Sequence, residues 1–436
     1  MLLRPDGAIQ SFADFPPAAN LAFTTISRYF QRFMRVTCAI IGGGIIGSAL
    51  AFELSKRGVS GVHILDPDLE GSLSSTERNA GGVRHLWQRR VNVELARHSI
   101  ALFKSVAEEV GFQSTGYLWL YGKDEVEAGK RVLEFTRSMK LNYESLSVTD
   151  IKKRYPFLDK TDDVGFAMYG VDDGLLNSNA VKQYFRNQAV ARGTKLHNRL
   201  VVKSVTETPA GKTQLEVARL SSPAQAEQYL ENPETFAFGN TGEETWDCDF
   251  VILCAGAWTR PLLKPLVADP YIRPFRRQIS VFKAEDFDMT PYGMIVDTSH
   301  VYFHPEGGNI LAGMVLKDEP EGFRFHYDPD FFESHIWPAL YERSSKLEKL
   351  KHVTGWGGLY SYTPDTSGIL GRIPNYQNIY EAHSFTGRGV MQSYGAAKAL
   401  TELILDGKYH SIDATGLSRN RFTGPTDSLL HETLHI

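Results

Sequence analysis

The amino-acid sequence predicts an α/β protein joined to a second, α+β unit, and three features carry this prediction. The run IIGGGIIG at 40–47 connects an apolar strand pattern to a helical pattern, as a nucleotide-binding turn does. A second apolar strand follows and ends at the acidic residue Asp66. Several short strand patterns between 272 and 316 predict a further sheet. Together these features indicate a Rossmann-like domain and an α+β domain.

The three glycines of the first motif have the spacing that a bound dinucleotide requires. Gly42 allows the chain to turn sharply, Gly44 has no Cβ to keep phosphates away, and Gly47 lets helix and strand pack closely. The preceding residues 36–41 are almost continuously apolar, which is typical of a strand buried on both faces. The helix after the turn would direct its positive N-terminus at the diphosphate.

Asp66 supplies the acidic residue that such a motif needs at the end of its second strand. It follows the apolar run 62–65 and lies 24 residues after Gly42, close to the usual spacing of about 20. A carboxylate at this place binds a ribose hydroxyl, whereas an arginine would indicate a 2′-phosphate. We therefore expect a dinucleotide without that phosphate.

Composition and charge exclude several other classes of protein. With 436 residues, 42% hydrophobic and 22% charged, the chain is long enough for two or three globular domains. The net charge of −4 and the pI of about 6.4 favour neither nucleic acid nor an anionic membrane as partner. No apolar stretch reaches the length of about 20 residues that a transmembrane helix needs. Cys38, Cys248 and Cys254 lack metal-type spacing and indicate buried thiols in a reducing, cytoplasmic compartment.

Residues 1–35 precede the first predicted strand and show no periodicity, so we expect a disordered N-terminal tail. The segment RYFQRFMR at 28–35 is basic and aromatic, and a mitochondrial targeting sequence is the alternative interpretation. Asp6 and Asp14 weaken that alternative because such sequences are poor in acidic residues. Met34 is a second candidate start of the chain.

Four sequence blocks follow one another along the chain. They are IIGGGIIG (40–47), STERNAGGVR (75–84), VILCAGAW (251–258) and the C-terminal pair TPDTSGILGR (363–372) and SFTGRGVMQ (384–392). The ordered set resembles the FAD-dependent oxidoreductases of the D-amino-acid oxidase type, in the branch of sarcosine oxidase, dimethylglycine dehydrogenase and glycine oxidase. The resemblance extends from about Val36 to Gly407. It implies a glutathione-reductase-type FAD-binding domain and a substrate domain built on an antiparallel sheet.

The resemblance also implies how the chain is divided. We expect a discontinuous FAD-binding domain, a substrate domain made of two segments, and a tail at each end. Residues 221–244 are polar and weakly periodic and predict a surface insertion. The predicted FAD-binding segments are 36–112, 165–265 and 350–415, the substrate segments are 113–164 and 266–349, and the C-terminal tail is 416–436.

The family pattern places FAD contacts at both glycine-rich ends of the chain and at two turns between them. At the second helix start, Arg388 and the helix N-terminus would stabilise the negative charge that hydride transfer leaves on the flavin edge at N1 and the C2 oxygen. The AGAW block would form a second backbone turn near the cofactor. The implied contacts are Gly42, Gly44, Ile45, Ile46, Gly47, Asp66, Ser75, Arg78, Asn79, Ala80, Gly81, Val202, Ala255, Gly256, Trp258, Gly387, Arg388, Gly389, Val390 and Met391.

Two positions of the family pattern decide how FAD is held. The cysteine that bonds flavin in monomeric sarcosine oxidase corresponds to Gly358, and the histidine that bonds it in dimethylglycine dehydrogenase corresponds to Arg78. We therefore expect non-covalent FAD. The lysine that completes carboxylate binding in sarcosine oxidase falls at Met391, so the substrate need not be sarcosine.

The resemblance points to an amine or amino-acid substrate. Arg84 falls where sarcosine oxidase binds the substrate carboxylate, and an arginine fork matches two carboxylate oxygens at once. Tyr360 corresponds to a tyrosine of that active site, and glycine oxidase has a carboxylate-binding arginine there. Arg388 and His85 complete the candidate catalytic set. A purely structural role is the alternative for each of these residues.

The implied activity is oxidation of the C–N bond of a carboxylate-bearing amine by hydride transfer to flavin N5, with oxygen or an electron-transfer protein as the final acceptor. One alternative is oxidation of a 2-hydroxy acid, which needs a base for the hydroxyl proton, with His85 or His304 as candidates. A second alternative is a flavin-binding chaperone without turnover, because the chain also resembles the FAD-containing assembly factor of mitochondrial respiratory complex I. Oxidase and dehydrogenase chemistry, and the oligomeric state, stay open at this point.

Overall fold

The computed structural model describes residues 32–239 and 241–434, which form two eight-stranded β-sheets, a two-stranded sheet and the surrounding helices. The strands are β1 (Arg32–Ile41), β2 (Val62–Asp66), β3 (Gly82–Val83), β4 (Tyr117–Gly122), β5 (Tyr143–Leu146), β6 (Val164–Gly170), β7 (Gly174–Leu175), β8 (Lys195–Asn198), β9 (Leu200–Glu207), β10 (Thr213–Arg219), β11 (Gly242–Leu253), β12 (Arg273–Ala284), β13 (Met294–Val296), β14 (Tyr302–Glu306), β15 (Asn309–Met314), β16 (Leu350–Tyr362), β17 (Ile369–Arg372) and β18 (Ile379–His383). The α-helices are α1 (Ile45–Lys56), α2 (Arg90–Ser105), α3 (Ala107–Val110), α4 (Val126–Ser138), α5 (Val148–Arg154), α6 (Ser178–Val190), α7 (Pro223–Glu231), α8 (Thr259–Leu263), α9 (Trp337–Arg343) and α10 (Gly389–Asp406). Short 3₁₀ helices lie at Gly256–Trp258, Ser345–Leu347, Thr415–Leu417, Arg419–Phe422 and Thr426–Ser428, and a π-helical turn at Phe332–Ile336.

The first large sheet is the predicted nucleotide-binding sheet. Its parallel strands follow the order β18-β11-β1-β2-β8, and β17 is antiparallel to β18 at one edge. The N-terminal half of β11 also pairs with β10, which pairs in turn with β9 as an antiparallel extension. β1 lies in the middle because its apolar residues from 38 to 41 are buried on both faces. The α/β prediction for this part of the chain is confirmed.

Four helices pack against one another beside this sheet and form the largest core. α10 contacts both α1 and α2, and α1 also contacts α6. Leu50, Ile100, Phe185 and Leu400, one residue from each helix, are fully buried in the same hydrophobic cluster. This packing holds the start of α1 and the start of α10 in fixed positions, which matters for the site below.

The second large sheet has the order β16-β12-β15-β14-β13-β4-β6-β5. All its neighbouring strands are antiparallel except β13 and β4, which are parallel. Phe282, Phe303, Phe331 and Phe332 are buried in one hydrophobic cluster that includes residues of this sheet. The prediction of a second, α+β part built on an antiparallel sheet is confirmed.

The predicted domain boundaries stay a prediction, but the sheets require two corrections to them. The boundary at residue 165 falls inside β6, which pairs with β4 and β5 in the second sheet. The strand β16 also belongs to the second sheet, where it pairs with β12 along its whole length, although residues from 350 onward were expected in the FAD-binding part. The sequence pattern identified both strands poorly because it contains no information on strand pairing.

The first strand begins earlier than predicted. β1 starts at Arg32 and pairs with β11 from that residue onward, so the predicted tail at 1–35 is too long by the residues 32–35. The remainder of that tail, including residues 28–31 of the candidate targeting segment, lies outside the described residues. Within the described ranges, no helix combines the length and the apolar character needed to cross a membrane.

The predicted C-terminal tail at 416–436 is packed against the protein as far as residue 434. Arg421 forms a buried ion pair with Asp365, with Nε 2.7 Å from Oδ2. Glu432 and Leu434 are buried. The Thr366 hydroxyl donates to the Glu432 carbonyl at 2.5 Å. These residues therefore form part of the folded body, and the interpretation as a simple tail is wrong for them.

The predicted surface insertion at 221–244 is wrong in part, because it contains α7. Ser222 caps this helix by accepting the Gln225 N–H, and Pro223 occupies its first turn. Tyr229 and Leu230 are buried in a cluster with Trp258. The Trp258 indole N–H donates to the Leu230 carbonyl at 2.8 Å. The insertion thus covers part of the protein interior.

Replacing Gly395 by alanine should destabilise the fold, although alanine is normally the better helix residue by about 1 kcal/mol. A Cβ at this position of α10 would lie 2.3 Å from the Leu95 carbonyl oxygen of α2, so the two helices would have to separate. We expect the free energy of unfolding, measured with urea, to fall by about 1–3 kcal/mol. Gly416→Ala is the control, because its nearest neighbour would be a Leu430 methyl group at 3.5 Å. Equal losses in both variants would contradict this explanation.

Candidate active site

A cleft of about 1170 Å³ lies where the parallel strands of the first sheet end. β1 leads into Gly42, β2 ends at Asp66 and β11 ends shortly before Ala255, and all three residues line the cleft. Open parallel sheets bind nucleotides at this edge. The sequence-predicted residues that line the cleft are Gly42, Gly44, Ile45, Ile46, Asp66, Ser75, Asn79, Val202, Ala255, Gly256, Trp258, Tyr360, Gly387, Gly389 and Val390.

Each glycine of the first motif has its own physical role. A Cβ at Gly42, where φ is +105°, would lie 2.6 Å from the Ala255 Cα, so no side chain fits between the two turns. A Cβ at Gly47 would lie 1.9 Å from the Gly42 carbonyl oxygen, which is the close helix–strand packing expected there. A Cβ at Gly44 would meet nothing closer than Thr76 Oγ1 at 3.5 Å. Position 44 therefore borders free space in the cleft, as contact with phosphates requires.

The long helices α1 and α10 both begin at the cleft, and neither has an acidic residue in its first turn. Their N-cap residues, Gly44 and Arg388, make no side-chain cap. The Ile45 N–H of α1 donates to the Thr76 hydroxyl at 3.1 Å. Helix N-termini of this kind carry partial positive charge and favour anions. The two helix N-termini therefore fit a ligand that has a diphosphate near one of them and an electron-rich ring edge near the other.

Asp66 occupies the end of β2, and its carboxylate accepts two backbone N–H groups. The donors are Gly43 at 2.6 Å and Asp68 at 2.7 Å. Burial raises the pKa of the Asp66 carboxyl, and these two hydrogen bonds oppose that shift. The glycine turn itself therefore holds the carboxylate at the cleft wall, and its contact with a ribose stays a prediction.

A second cavity of about 710 Å³ adjoins the cleft. Tyr360, Thr386 and Gly387 belong to the walls of both, so the two spaces meet there. A Cβ at Gly387 would lie 2.3 Å from the Tyr360 ring, which shows how closely the ring covers this turn. The sequence-predicted residues in the second wall are Ser75, Arg78, Asn79, Ala80, Arg84, Tyr360, Gly387, Arg388 and Met391.

Arg388 is buried in the wall of the second cavity, with 2% of the residue exposed. Its Nε donates to the Phe385 carbonyl at 3.1 Å, whereas Nη1 and Nη2 have no hydrogen-bond partner among the described residues. Burial lowers the pKa of Arg388 to about 10, and the charge of Glu432 opposes this shift. A buried cationic fork without an acceptor is costly, so the site is complete only when an anion or carbonyl group meets it.

Arg84 lies in the same wall, and its guanidinium is held in a fixed position. Nη2 donates to the Leu434 carbonyl at 2.5 Å, and Nη1 donates to the Leu86 carbonyl. The Trp87 and Trp119 rings lie 3.8 and 4.8 Å from its Cζ, which stabilises the cation. The structure thus brings Arg84 to the cavity as predicted, together with a contact to the C-terminal segment that the sequence does not indicate.

Three predicted site residues line neither cavity. Gly47 and Gly81 face protein atoms, with a Cβ at Gly81 only 2.5 Å from the Leu176 carbonyl oxygen. His85 pairs with the buried Asp173, with Nδ1 2.7 Å from Oδ1. Its placement as a catalytic residue is corrected here: neighbouring side chains after a strand point to opposite sides, so when Arg84 faces the cavity, His85 faces away.

Three of the wall residues that the sequence interpretation missed are informative. Thr76 lies inside the STERNAGGVR block, but its hydroxyl contact with α1 depends on the folded loop. Tyr229 belongs to α7, whose Ser222-Pro223 start is a helix signal that could have been used. Arg277 lies on β12 in an ordinary strand pattern, and nothing in the sequence distinguishes it from a surface arginine.

The two positions that bond flavin covalently in related enzymes are neighbours in this structure. A Cβ at Gly358 would lie 3.2 Å from the Arg78 Cβ. Arg78 itself is anchored by donating to the Ser72 carbonyl at 2.8 Å and to the Gly357 carbonyl. Neither position offers a thiol or an imidazole that could bond flavin. The residues at both positions are therefore consistent with the prediction of a dissociable flavin.

A parallel sheet that ends in a glycine turn, a partly buried acid and two helix N-termini defines a dinucleotide-binding protein of the oxidoreductase class. Residues 37–403 match the model of the DAO family, described as FAD dependent oxidoreductase. The chain belongs to this family. It is an FAD-dependent oxidoreductase, and dissociable FAD stays a prediction.

Curated relatives and solved structures agree with this assignment. The chain is 27% identical to the FAD-dependent oxidoreductase domain-containing protein 1 of Xenopus laevis, over 89% of this chain and 83% of that protein. It is 25% identical to the monomeric sarcosine oxidase of Bacillus sp. (strain B-0618), over 87% of this chain and 95% of that one. The fold is similar to L-proline dehydrogenase from P. horikoshii, with a TM-score of 0.77 and 23% identity over 89% of this chain and 98% of that one. Glycine oxidase from Geobacillus kaustophilus gives a TM-score of 0.74 and 20% identity, over 88% and 98% of the two chains.

Gly44→Ala should weaken FAD binding without destabilising the apoprotein, because the added methyl group enters free space that phosphate would occupy. We expect the Kd for FAD, measured by flavin fluorescence, to rise about 10- to 100-fold, the range for losing a hydrogen bond to a charged group. Gly47→Ala is the contrasting variant, since its Cβ would meet the Gly42 carbonyl oxygen at 1.9 Å. It should lower the melting temperature of the apoprotein. Unchanged FAD affinity in Gly44→Ala would exclude position 44 from the phosphate site.

Tyr229→Ala should weaken the binding of FAD but not of FMN, because FMN lacks the adenosine half. The Tyr229 ring lines the cleft. Burial raises the pKa of the Tyr229 hydroxyl, and the nearby Asp66 carboxylate raises it further. The control is Tyr341→Ala, which removes a tyrosine that is 43% exposed. Titration of the apoprotein with each flavin measures the effect. An equal loss of affinity for FAD and FMN would place Tyr229 away from the adenosine.

Proposed function

We propose that this protein oxidises the C–N bond of a carboxylate-bearing amine bound in the second cavity. The observation that carries the proposal is the Arg388 guanidinium, which lines that cavity and has no acceptor for Nη1 or Nη2 among the described residues. A carboxylate offers two oxygens with the spacing of this fork. Arg84 lines the same cavity and adds a second positive charge for the anion.

The walls of the second cavity suit a substrate that must be held away from water beside the cofactor. Trp87, Tyr117 and Tyr302 are buried and contribute apolar surface. FAD, when bound in the cleft, supplies the two-electron acceptor. The amine loses two electrons and two protons as its C–N bond becomes C=N, and water then hydrolyses the imine to a carbonyl product and a free amine.

The protonation chemistry of the cavity favours an amine over a 2-hydroxy acid. A neutral amine carries its own lone pair, whereas a hydroxyl group needs a base to take its proton. No histidine, aspartate or glutamate is among the described residues that line the second cavity. Burial raises the pKa of both Tyr117 and Tyr360 to about 12, so these hydroxyls stay protonated near neutral pH and donate rather than accept a proton.

The two histidines considered as bases lie elsewhere. His85 is bound to Asp173, as described above. His304 hydrogen-bonds through Nδ1 with the Pro305 carbonyl at 2.8 Å and lines neither cavity. Burial lowers the pKa of His304 to about 4, so the ring is neutral near pH 7. The described wall of the second cavity therefore offers no histidine or carboxylate base for a 2-hydroxy acid.

The names of related proteins support the same substrate class. Sarcosine oxidase, glycine oxidase and L-proline dehydrogenase are named for amines that carry a carboxylate. The set includes both oxidases and dehydrogenases, so we propose oxygen or an electron-transfer protein as the acceptor for this chain. A sarcosine dehydrogenase of Mus musculus is named as mitochondrial, and cytoplasm or mitochondrion stays the proposed location here.

Arg388→Gln should raise KM for the carboxylate-bearing substrate about 10- to 100-fold, since it removes a charged hydrogen-bond donor from a buried site. The experiment mixes FAD-loaded protein anaerobically with N-methyl amino acids, glycine, proline and 2-hydroxy acids and follows loss of the flavin absorbance. Arg372→Gln, an exposed arginine on β17, is the matched control. A holoenzyme that no amine reduces would reject the proposed function and favour the flavin-binding chaperone. Reduction by 2-hydroxy acids alone would favour the other alternative.

A further inference from the structure

The second cavity contains more positive charge than a single substrate carboxylate can balance. Its described wall includes four arginines and no acidic residue. Arg84, Arg277 and Arg388 all lie close enough to the Tyr360 hydroxyl to act on its ionisation. The Arg277 guanidinium carbon lies 5.5 Å from the centre of the Tyr360 ring. Three cations therefore surround one tyrosine at the junction with the cofactor cleft.

Arg78, the fourth arginine, contributes least to the charge inside the cavity. It donates to the backbone carbonyls of Ser72 and Gly357, and its guanidinium lies 5.6 Å from the Phe325 ring. The other three arginines, unlike Arg78, are among the groups with the largest effect on the ionisation of Tyr360. The charge balance of the substrate position depends on the other three arginines.

Among the described residues, the carboxylate with the largest effect on Arg388 belongs to Glu432. It also accepts the Gln88 N–H at 2.8 Å, so it is shared with neutral donors. Asp365 acts on Arg388 more weakly and forms its own ion pair with Arg421. The described wall of the cavity itself contributes these guanidinium groups and no carboxylate.

Arg277 has an unused donor. Its Nη1 donates to the Arg276 carbonyl and its Nη2 to the Tyr362 hydroxyl, both at 2.7 Å. The Nε atom is buried and has no hydrogen-bond partner in the described part of the chain. Arg277 as a whole is half-buried, and because a buried donor without a partner is costly, an anionic group that reaches Nε would stabilise it. Arg277 and Arg388 thus offer two separate unfilled positions for anionic groups.

We propose that the substrate carries two carboxylates, one held by Arg388 with Arg84 and the other by Arg277. This inference rests on the proposed function, because it places the same amine in the same cavity. The chemical class is an N-substituted amino dicarboxylic acid, with its oxidised C–N bond beside Tyr360. A dianion would balance the surplus of positive charge that a monocarboxylate leaves.

The test compares two substrates that differ by one carboxyl group, N-methylalanine and N-methylaspartate, each as both stereoisomers. With FAD-loaded wild-type protein we expect kcat/KM for N-methylaspartate to be at least 10-fold higher, the low end of what one charged hydrogen bond contributes. Turnover of N-methylalanine with an equal or higher kcat/KM would overturn the dicarboxylate inference and keep the proposed function. Absence of turnover with either compound would reject the proposed function itself.

Arg277→Gln and Arg277→Lys locate the second carboxylate. We expect Arg277→Gln to lower kcat/KM for N-methylaspartate at least 10-fold more than for N-methylalanine, and Arg277→Lys to restore part of the difference. Arg372→Gln should change neither value. An equal loss for both substrates would show that Arg277 has only a structural role and would overturn the assignment.

Binding without turnover provides a second readout for variants that fold poorly. Malonate should perturb the flavin absorbance of the wild-type holoenzyme at a concentration at least 10-fold lower than acetate does, and this preference should be lost in Arg277→Gln. Equal affinity of the wild type for malonate and acetate would contradict a second anion site.

Discussion

The site depends on the pairing of β1 between β2 and β11. Ile41, the last residue of β1, is in register with Leu65 on one side and Leu253 on the other. Beyond this register the Gly42 N–H donates to the Leu65 carbonyl at 2.9 Å, and the Cys254 N–H donates to the Ile41 carbonyl at 2.8 Å. Three chain turns are thereby brought to one edge, and only a glycine fits where they meet. The cofactor cleft is a consequence of this backbone pairing.

The second cavity depends on a different physical principle, because its arginine side chains are charged and largely enclosed before any anionic ligand binds. Arg84 is stabilised by carbonyl groups and aromatic rings, whereas Arg388 and Arg277 keep donors without acceptors in the described structure. Burying such donors lowers stability. Ligand binding offsets that cost, so the same arrangement that weakens the empty protein selects anionic ligands.

Local patterns of sequence predicted much of the architecture. The glycine turn, the strand that ends at Asp66 and the other apolar strands lie where the sequence predicts them, because each depends on residues within a short stretch of chain. His85 was misplaced because a residue type near a motif says nothing about which side of the strand it faces. The assignments of residues 430–434, β6 and β16 were wrong because the strands and side chains that these residues pair with are far away in the sequence. Arg277 was overlooked for the same reason.

The order of strand, glycine turn, helix and acid settles the cofactor class in advance of any structure, since a dinucleotide contacts backbone whose conformation is encoded locally. The substrate position has no such local code. It arises where β3, β12, β16, the start of α10 and the C-terminal segment converge, and the charge inside it is a sum over residues from all of them. Which arginine is paired and which is left open is therefore set by packing between distant parts of the chain, and only the folded protein reveals it.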